Sequence, residues 1–258
     1  MTTTRTHALR ITALDAFPDV RPGDDLARLV VERTRTCGIA VADGDVFVVA
    51  QKVVSKAEDR YVDLAGVVPS ERAVALSRTT GKDPRLVEVI LCDAQRVVRA
   101  VRDVLIVEHR LGFVMANGGV DQSNVGDVPS GRVLRLPADP DASAARLRDA
   151  LQASFGMRLG VIVNDSFGRA WRLGTVGVAI GVAGMPSIVD RRGDRDRYGR
   201  DLRATVIGYA DEIASAASLV MGQADEGQPV VVVQGLHWTA PDSTAAGIVR
   251  PPAEDLFR

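Results

Sequence analysis

Three short apolar runs, at residues 46–50, 160–163 and 230–233, are largely β-branched and carry no charge, and they constrain the fold more than any other feature of this 258-residue chain. Each is too short for a helix and has no polar face, so each suits a strand in the interior of a sheet. Helical patterns lie between them. Asp24, after Pro22 and Gly23, opens an amphipathic helix with Leu26, Leu29 and Val30 on one face. Asp83 is an N-cap with Pro84 at the first helical position, and Leu86, Val87, Ile90 and Leu91 form the apolar stripe. Asp141 is expected to cap a helix reaching about residue 154, with Leu147 and Leu151 inward. Asp211 begins another that turns Ile213, Ala217 and Val220 to the core, and Gly222 stops it.

Residues 104–108 and 112–116 read as a strand pair around His109. Because strands and helices are interspersed, a mixed α/β (α+β) fold is expected. Residues 1–250 form one unit with a seam between two intimate subdomains at 128–145, where Pro129, Gly131, Pro137 and Pro140 cluster. Residues 251–258 form a loosely docked tail.

A net charge of −1 gives no bulk attraction to nucleic acid or an anionic membrane. No apolar run approaches the roughly 20 residues that span a bilayer, and the N-terminus lacks the apolar core of a secretory signal. A cytoplasmic protein with Cys37 and Cys92 reduced is expected. No GxxxxGK[ST], GxSxG or HExxH pattern occurs, and His7, His109 and His237 are not spaced as metal ligands.

Chemistry concentrates where strands end. Asp121 follows an apolar stretch and the Gly118-Gly119 turn, and Asp165-Ser166 follow 160–163. Carboxylates and hydroxyls at such places can hold a hard cation, or can simply shape a turn. Arg169 and Arg172 could fork onto phosphate or carboxylate oxygens or stand as surface charges. Lys52 and Lys56, beyond the 46–50 run, are phosphate ligands or solvated lysines. The sign-balanced stretch 191–201 reads as a solvated loop, with substrate contact as the alternative.

Five ordered motifs together carry a resemblance. They are Phe17-Pro18-Asp19-Val20 running on to Asp25, Lys52-Val53-Val54-Ser55-Lys56, Ala116-Asn117-Gly118-Gly119-Val120-Asp121-Gln122-Ser123-Asn124, Asn164-Asp165-Ser166-Phe167-Gly168-Arg169-Ala170-Trp171-Arg172, and Leu219-Val220-Met221-Gly222-Gln223. In that order they resemble the coenzyme F420-0:gamma-glutamyl ligase family over about residues 10–236. The resemblance implies a two-domain fold peculiar to the family and an intertwined homodimer. It also implies a GTP-dependent reaction in which the precursor's carboxylate is phosphorylated and L-glutamate's amine then attacks.

By position, Asp121 and Asp165 would hold a first Mg²⁺ or Mn²⁺, while Ser166 and Gln223 would contact a second. Potassium is a further cation to expect. Phe17, Pro18, Asp19, Val20, Gln51, Lys56, Asn124, Met221, Gly222, Gln223, Ala224, Asp225, Glu226, Gly227 and Gln228 would surround GTP. Arg169 and Arg172 join Asp121 and Asp165 as expected catalytic residues, as anion contacts. Four places depart from the family pattern: Gln51 for a small hydroxyl residue, Gly118-Gly119 for Ala-Gly, Asn164-Asp165-Ser166 for Ser-Asp-Thr, and Glu58-Asp59-Arg60 for Glu-Gly-Arg. They leave open a ligase for another carboxylate, or a nucleotide-binding relative without turnover. There is no length here for the flavin-binding domain some relatives carry, so any redox step is expected in another protein.

Overall fold

The apolar runs form neighbouring strands. A computed structural model describes residues 8–125 and 131–255. The chain runs β1 (Arg10–Ala13), α1 (Leu26–Thr36), β2 (Val46–Ala50), α2 (Gln51–Ala57), β3 (Tyr61–Asp63), α3 (Glu71–Thr80) and α4 (Pro84–Cys92). Next come β4 (Ala94–Val101), β5 (Val104–His109), β6 (Val114–Ala116), β7 (Arg132–Leu134) and α5 (Pro140–Phe155). It ends with β8 (Gly160–Gly168), β9 (Thr175–Ala183), β10 (Val189–Asp190), β11 (Val206–Ile207), α6 (Tyr209–Met221) and β12 (Val230–Gln234).

The main sheet has the order β1-β12-β2-β8-β9, which puts the three apolar runs in its middle. Only β2 and β8 pair in parallel. Successive side chains of a strand point to opposite faces. Phe47, Val49, Val161, Val163, Val230 and Val232 pack with Val30 of α1 and Leu147 and Leu151 of α5. Val46, Val48, Ile162, Val231 and Val233 pack with Ala210, Ile213, Ala214 and Ala217 of α6. Both faces are covered, which is why the runs lack a polar alternation.

A register shift sits at the end of the apolar part of β8: Val163 faces Gly181, but Asn164 faces Ala179. The helices press close there. A Cβ on Gly177 would overlap the Ser218 hydroxyl and the Ala214 carbonyl of α6, and one on Gly181 would overlap the Pro140 carbonyl of α5. This is the close backbone packing that a run of small residues permits.

A third cluster, including Leu64, Leu86, Val87, Ile90, Leu105, Val107 and Val133, comes wholly from the stretch between α2 and α5. It is built on the antiparallel β4-β5-β6 sheet, the β3-β7 ribbon, α3 and α4. The expected strand pair 104–108 and 112–116 appears as β5 and β6. Of the proline cluster, Pro137 and Pro140 fall between β7 and the first turn of α5, whereas Pro129 lies outside the described residues.

Several caps differ from expectation. Asp139 caps α5 by accepting from the Ala142 amide, because Pro140 takes the first helical position. Asp141 instead accepts from the amides of Val182 and Ala245, each at 2.8 Å, fastening the 245–248 turn to β9. Asp25 caps α1, while Asp24 closes the turn before it. Asp211 lies inside α6 and accepts from the Ala179 amide at 2.9 Å. The triplet 164–166 does not leave the sheet: β8 continues to Gly168, because β9 pairs along its whole length. Pro252–Glu254 forms a short exposed turn, and 256–258 lie outside the described residues. Among the described residues Cys37 and Cys92 are free, and no helix is long and apolar enough to cross a membrane.

Candidate functional site

The parallel pairing of β2 with β8 puts Ala50 opposite Asn164. The first turn of α2 therefore lies beside the polar half of β8, where β2 stops and β8 runs on with β9. Ligand crevices of open α/β sheets form at such carboxyl ends. Here a cavity of about 660 Å³ opens. Its walls are Phe17 to Val20 before α1, Gln51, Lys52 and Lys56 of α2, Gln122 and Asn124, the triplet Asn164-Asp165-Ser166, and the segment from Met221 to Pro229.

Asp121 is fixed by an isolated bridge to Leu134, with reciprocal backbone bonds of 2.8 and 2.9 Å. The turn before it needs glycine: Gly118 and Gly119 have φ of 56° and 70°, and a Cβ on Gly119 would run into Leu136. The Asp121 side chain accepts from Gln51 Nε2 at 2.6 Å through Oδ2. Lys52 Nζ lies 3.5 Å from Oδ1 and donates to Ser123 Oγ at 3.1 Å. Asp165 accepts from the Ser166 amide at 2.8 Å.

Burial raises the Asp121 carboxyl above its ordinary range, opposed by Lys52 and Gln51. Burial, and then the charge of Asp121, push Asp165 up to about 7. Two carboxylates thus share one neighbouring ammonium, so the site is short of positive charge. The donors at hand are two carboxylates, the Ser166 hydroxyl and the Gln223 amide. All offer oxygen, which fits a hard divalent cation such as Mg²⁺ or Mn²⁺. Among the described residues no cluster of three His, Cys, Asp or Glu side chains competes as a metal site.

The remaining wall is polar and partly cationic. Burial lowers the pKa of Lys56, with the Asp19 carboxylate opposing and the Lys52 ammonium reinforcing that shift. Asn124 Nδ2 donates to the Ala224 carbonyl at 2.9 Å, tying the Asp121 loop to the segment that follows α6. Gly222, with φ of 77°, ends α6 where a Cβ would collide with the Glu226 side chain, and that carboxylate accepts from the Ala224 amide at 2.7 Å. Asn164 donates to Ser218 Oγ at 3.0 Å, while its buried Oδ1 has no partner among the described residues.

The structure gathers Phe17, Pro18, Asp19, Val20, Gln51, Lys56, Asn124, Asp165, Ser166 and the segment Met221 to Gln228 around one cavity, with Asp121 bonded to its wall. Gln51 lines the cavity with its amide bonded to Asp121 and Ser55. Arg169 and Arg172 do not line the cavity. Both are exposed at the β8–β9 hairpin, where Arg169 donates to the Gly174 carbonyl at 3.3 Å. The 191–201 loop also stays outside, with Arg191 paired with Asp194 and Arg192 with Asp190 at 2.6 Å each. Val53 and Gln122, within the motifs but not singled out, also line the cavity, as do Val125 and Pro229, to which only adjacency to the named segments could have pointed.

The family profile described as F420-0:Gamma-glutamyl ligase matches residues 16–235. A Coenzyme F420:L-glutamate ligase of Methanopyrus kandleri is 48% identical over 255 residues, covering 97% of this chain and 98% of the relative. Proteins of the same name from Methanothermobacter thermautotrophicus and Archaeoglobus fulgidus are 44% and 40% identical. The former alignment covers 97% of this chain and 99% of the relative, the latter 97% and 96%. With the match running from the Phe17 loop through both aspartate motifs to β12, the chain belongs to the F420-0:gamma-glutamyl ligase family.

Proposed function

We propose that this ligase uses GTP and divalent metal to add L-glutamate to the deazaflavin precursor F420-0, through an acyl phosphate. The observation that carries the reading is one cavity lined by Asp165, Lys52 and Lys56, with Asp121 held against its wall by Gln51 and close enough for its charge to act on Asp165. In the first step the precursor's carboxylate oxygen attacks the γ-phosphorus and GDP leaves. In the second the glutamate amine attacks the acyl carbon, phosphate leaves, and the nitrogen gives up a proton.

Lys52 and Lys56 would bind phosphate oxygens and draw charge from the transferring group. The 17–20 loop, Asn124 and the Met221 to Gln228 segment would enclose the nucleotide and keep water from the acyl phosphate. Asp121, Asp165, Ser166 and Gln223 would hold the metal ions. When bound, these supply Lewis-acid neutralisation of the phosphate charge.

Mass spectrometry of F420-0 incubated with protein, GTP, L-glutamate and Mn²⁺ tests the reading. Additions of glutamyl mass are expected, absent with Asp121→Ala. Lys56→Ala is expected to raise the KM for GTP about tenfold while moving that for glutamate little. Metal-dependent GTP cleavage without mass addition would instead favour a different acceptor carboxylate.

We also propose a homodimer built of two-domain subunits. Trp171 and Leu173 on the β8–β9 hairpin are 88% and 98% exposed, which supports an intersubunit role for that arm. Light scattering is expected to give twice the chain mass for the native protein and a shift toward monomer for Trp171→Ser with Leu173→Ser. A native monomer would refute the dimer.

A further inference from the structure

We propose that Gln51 is a positioning residue that presents Asp121 to a divalent ion through a single oxygen, and thereby biases the site toward small cations and against Ca²⁺. The inference rests on the reading of Asp121 as a metal ligand.

Gln51 opens α2 directly after the last residue of β2, and it is only 2% exposed. Ser55, one turn on and on the same helix face, is fully buried. A buried side-chain amide has to satisfy both its ends. Gln51 does so within the protein: Nε2 donates to Asp121 Oδ2 at 2.6 Å, and Oε1 accepts from Ser55 Oγ at 3.0 Å. The orientation of the amide follows from charge. Turned over, it would set its carbonyl oxygen against a carboxylate oxygen at the same short distance, which is repulsive. One N–H and one carbonyl lone pair of the amide are thereby committed inside the protein.

The consequence falls on Asp121. Its Oδ2 is held in a short, charge-assisted bond, and its Oδ1 is the oxygen facing Lys52 at 3.5 Å. Calcium takes about 6–8 oxygen ligands at about 2.3–2.6 Å and readily uses carboxylates through both oxygens. Magnesium keeps near-octahedral geometry at about 2.0–2.1 Å and is content with single oxygens. An aspartate with one oxygen committed to a buried amide suits the second mode and resists the first. Ser55 acts one step further back, by fixing the amide that fixes the carboxylate. Partners behind a metal ligand commonly change metal affinity about 10–100-fold when removed.

The test is Mn²⁺ binding followed by loss of the free-ion EPR signal, with Ca²⁺ as competitor, on native protein, Gln51→Leu, Ser55→Ala and Asp121→Ala, each checked for folding by circular dichroism. Gln51→Leu is expected to shift the Mn²⁺-over-Ca²⁺ preference at least about tenfold toward Ca²⁺, and Ser55→Ala to shift it the same way by less. Should Gln51→Leu fold poorly, Ser55→Ala decides alone. An unchanged preference in the folded variants, with binding lost in Asp121→Ala, overturns the role of Gln51 and leaves the metal reading standing. Native-like Mn²⁺ binding by Asp121→Ala overturns the metal reading itself.

Discussion

Asp165→Asn is expected to abolish ligation and, in metal-free protein, to make folding more stable at pH 8. The two effects share one cause. Burial and the Asp121 charge lift the Asp165 pKa from 3.8 to about 7. Between those values the folded state binds more protons than the unfolded one, so stability falls as pH rises and stays reduced above 7. Three units correspond to about 4 kcal/mol; since Asp165 is partly open to the cavity, solvent screening cuts this to about 2 kcal/mol. Asparagine removes the charge and with it the penalty. Urea unfolding at pH 5 and 8, with chelator present, is expected to show a decline in the native protein and a smaller one in the variant. Added Mg²⁺ should restore the native protein at pH 8 and do little for the variant, because binding only the folded state stabilises it. Activity should fall about a thousandfold, equivalent to about 4 kcal/mol of transition-state stabilisation. Identical pH slopes in both proteins would show that Asp165 is not the strained carboxylate.

What made the fold legible was burial on both faces: β2, β12 and the first half of β8 have no polar side to obscure them. Caps next to proline were legible too, as at Asp83 before Pro84. Where aspartates flank a proline on both sides, as Asp139 and Asp141 do, the pattern alone does not choose; proline's place in the first turn does. The triplet after Val163 looked like a turn because three polar residues usually end a strand, and only the partner strand β9 keeps it extended. β4 was not legible, since its partly exposed residues, Gln95, Arg96 and Arg99 among them, give no apolar run. Of the lysine and aspartate motifs, Lys52 and Lys56 follow the end of β2 and Asp121 follows a glycine turn, whereas Asp165 lies within β8. The Gln51–Asp121 bond was not visible, as it joins residues 70 apart in sequence through a pairing that spacing cannot report.

The second large effect lies outside the cavity. Asp93→Ala is expected to cost about 3–5 kcal/mol, a sizeable share of a typical domain's stability of about 5–15 kcal/mol. Asp93 follows α4 and its side chain is only 7% exposed. It accepts from Arg110 Nε at 3.1 Å and from Arg135 at 2.8 Å through Nε and 2.6 Å through Nη2, and it faces the buried His109 Nε2 at 3.8 Å. Burial alone would raise its pKa, but His109, Arg135 and Arg110 outweigh that and hold it well below the usual carboxylate range. A depressed folded pKa means the contribution is complete above about pH 4 and is lost only as the pH falls below that. At pH 7 the alanine variant leaves two guanidiniums facing an empty space beside a buried imidazole. Chemical denaturation at pH 7 should show the loss, with Asp93→Asn intermediate because it keeps shape and gives up charge. A loss under about 1 kcal/mol would mean that Arg110, which also donates to the Ala138 carbonyl at 2.6 Å, keeps its place without Asp93. Arg135 follows Leu134, the residue that bridges Asp121, so loosening this cluster should also weaken Mn²⁺ binding at a site it never touches.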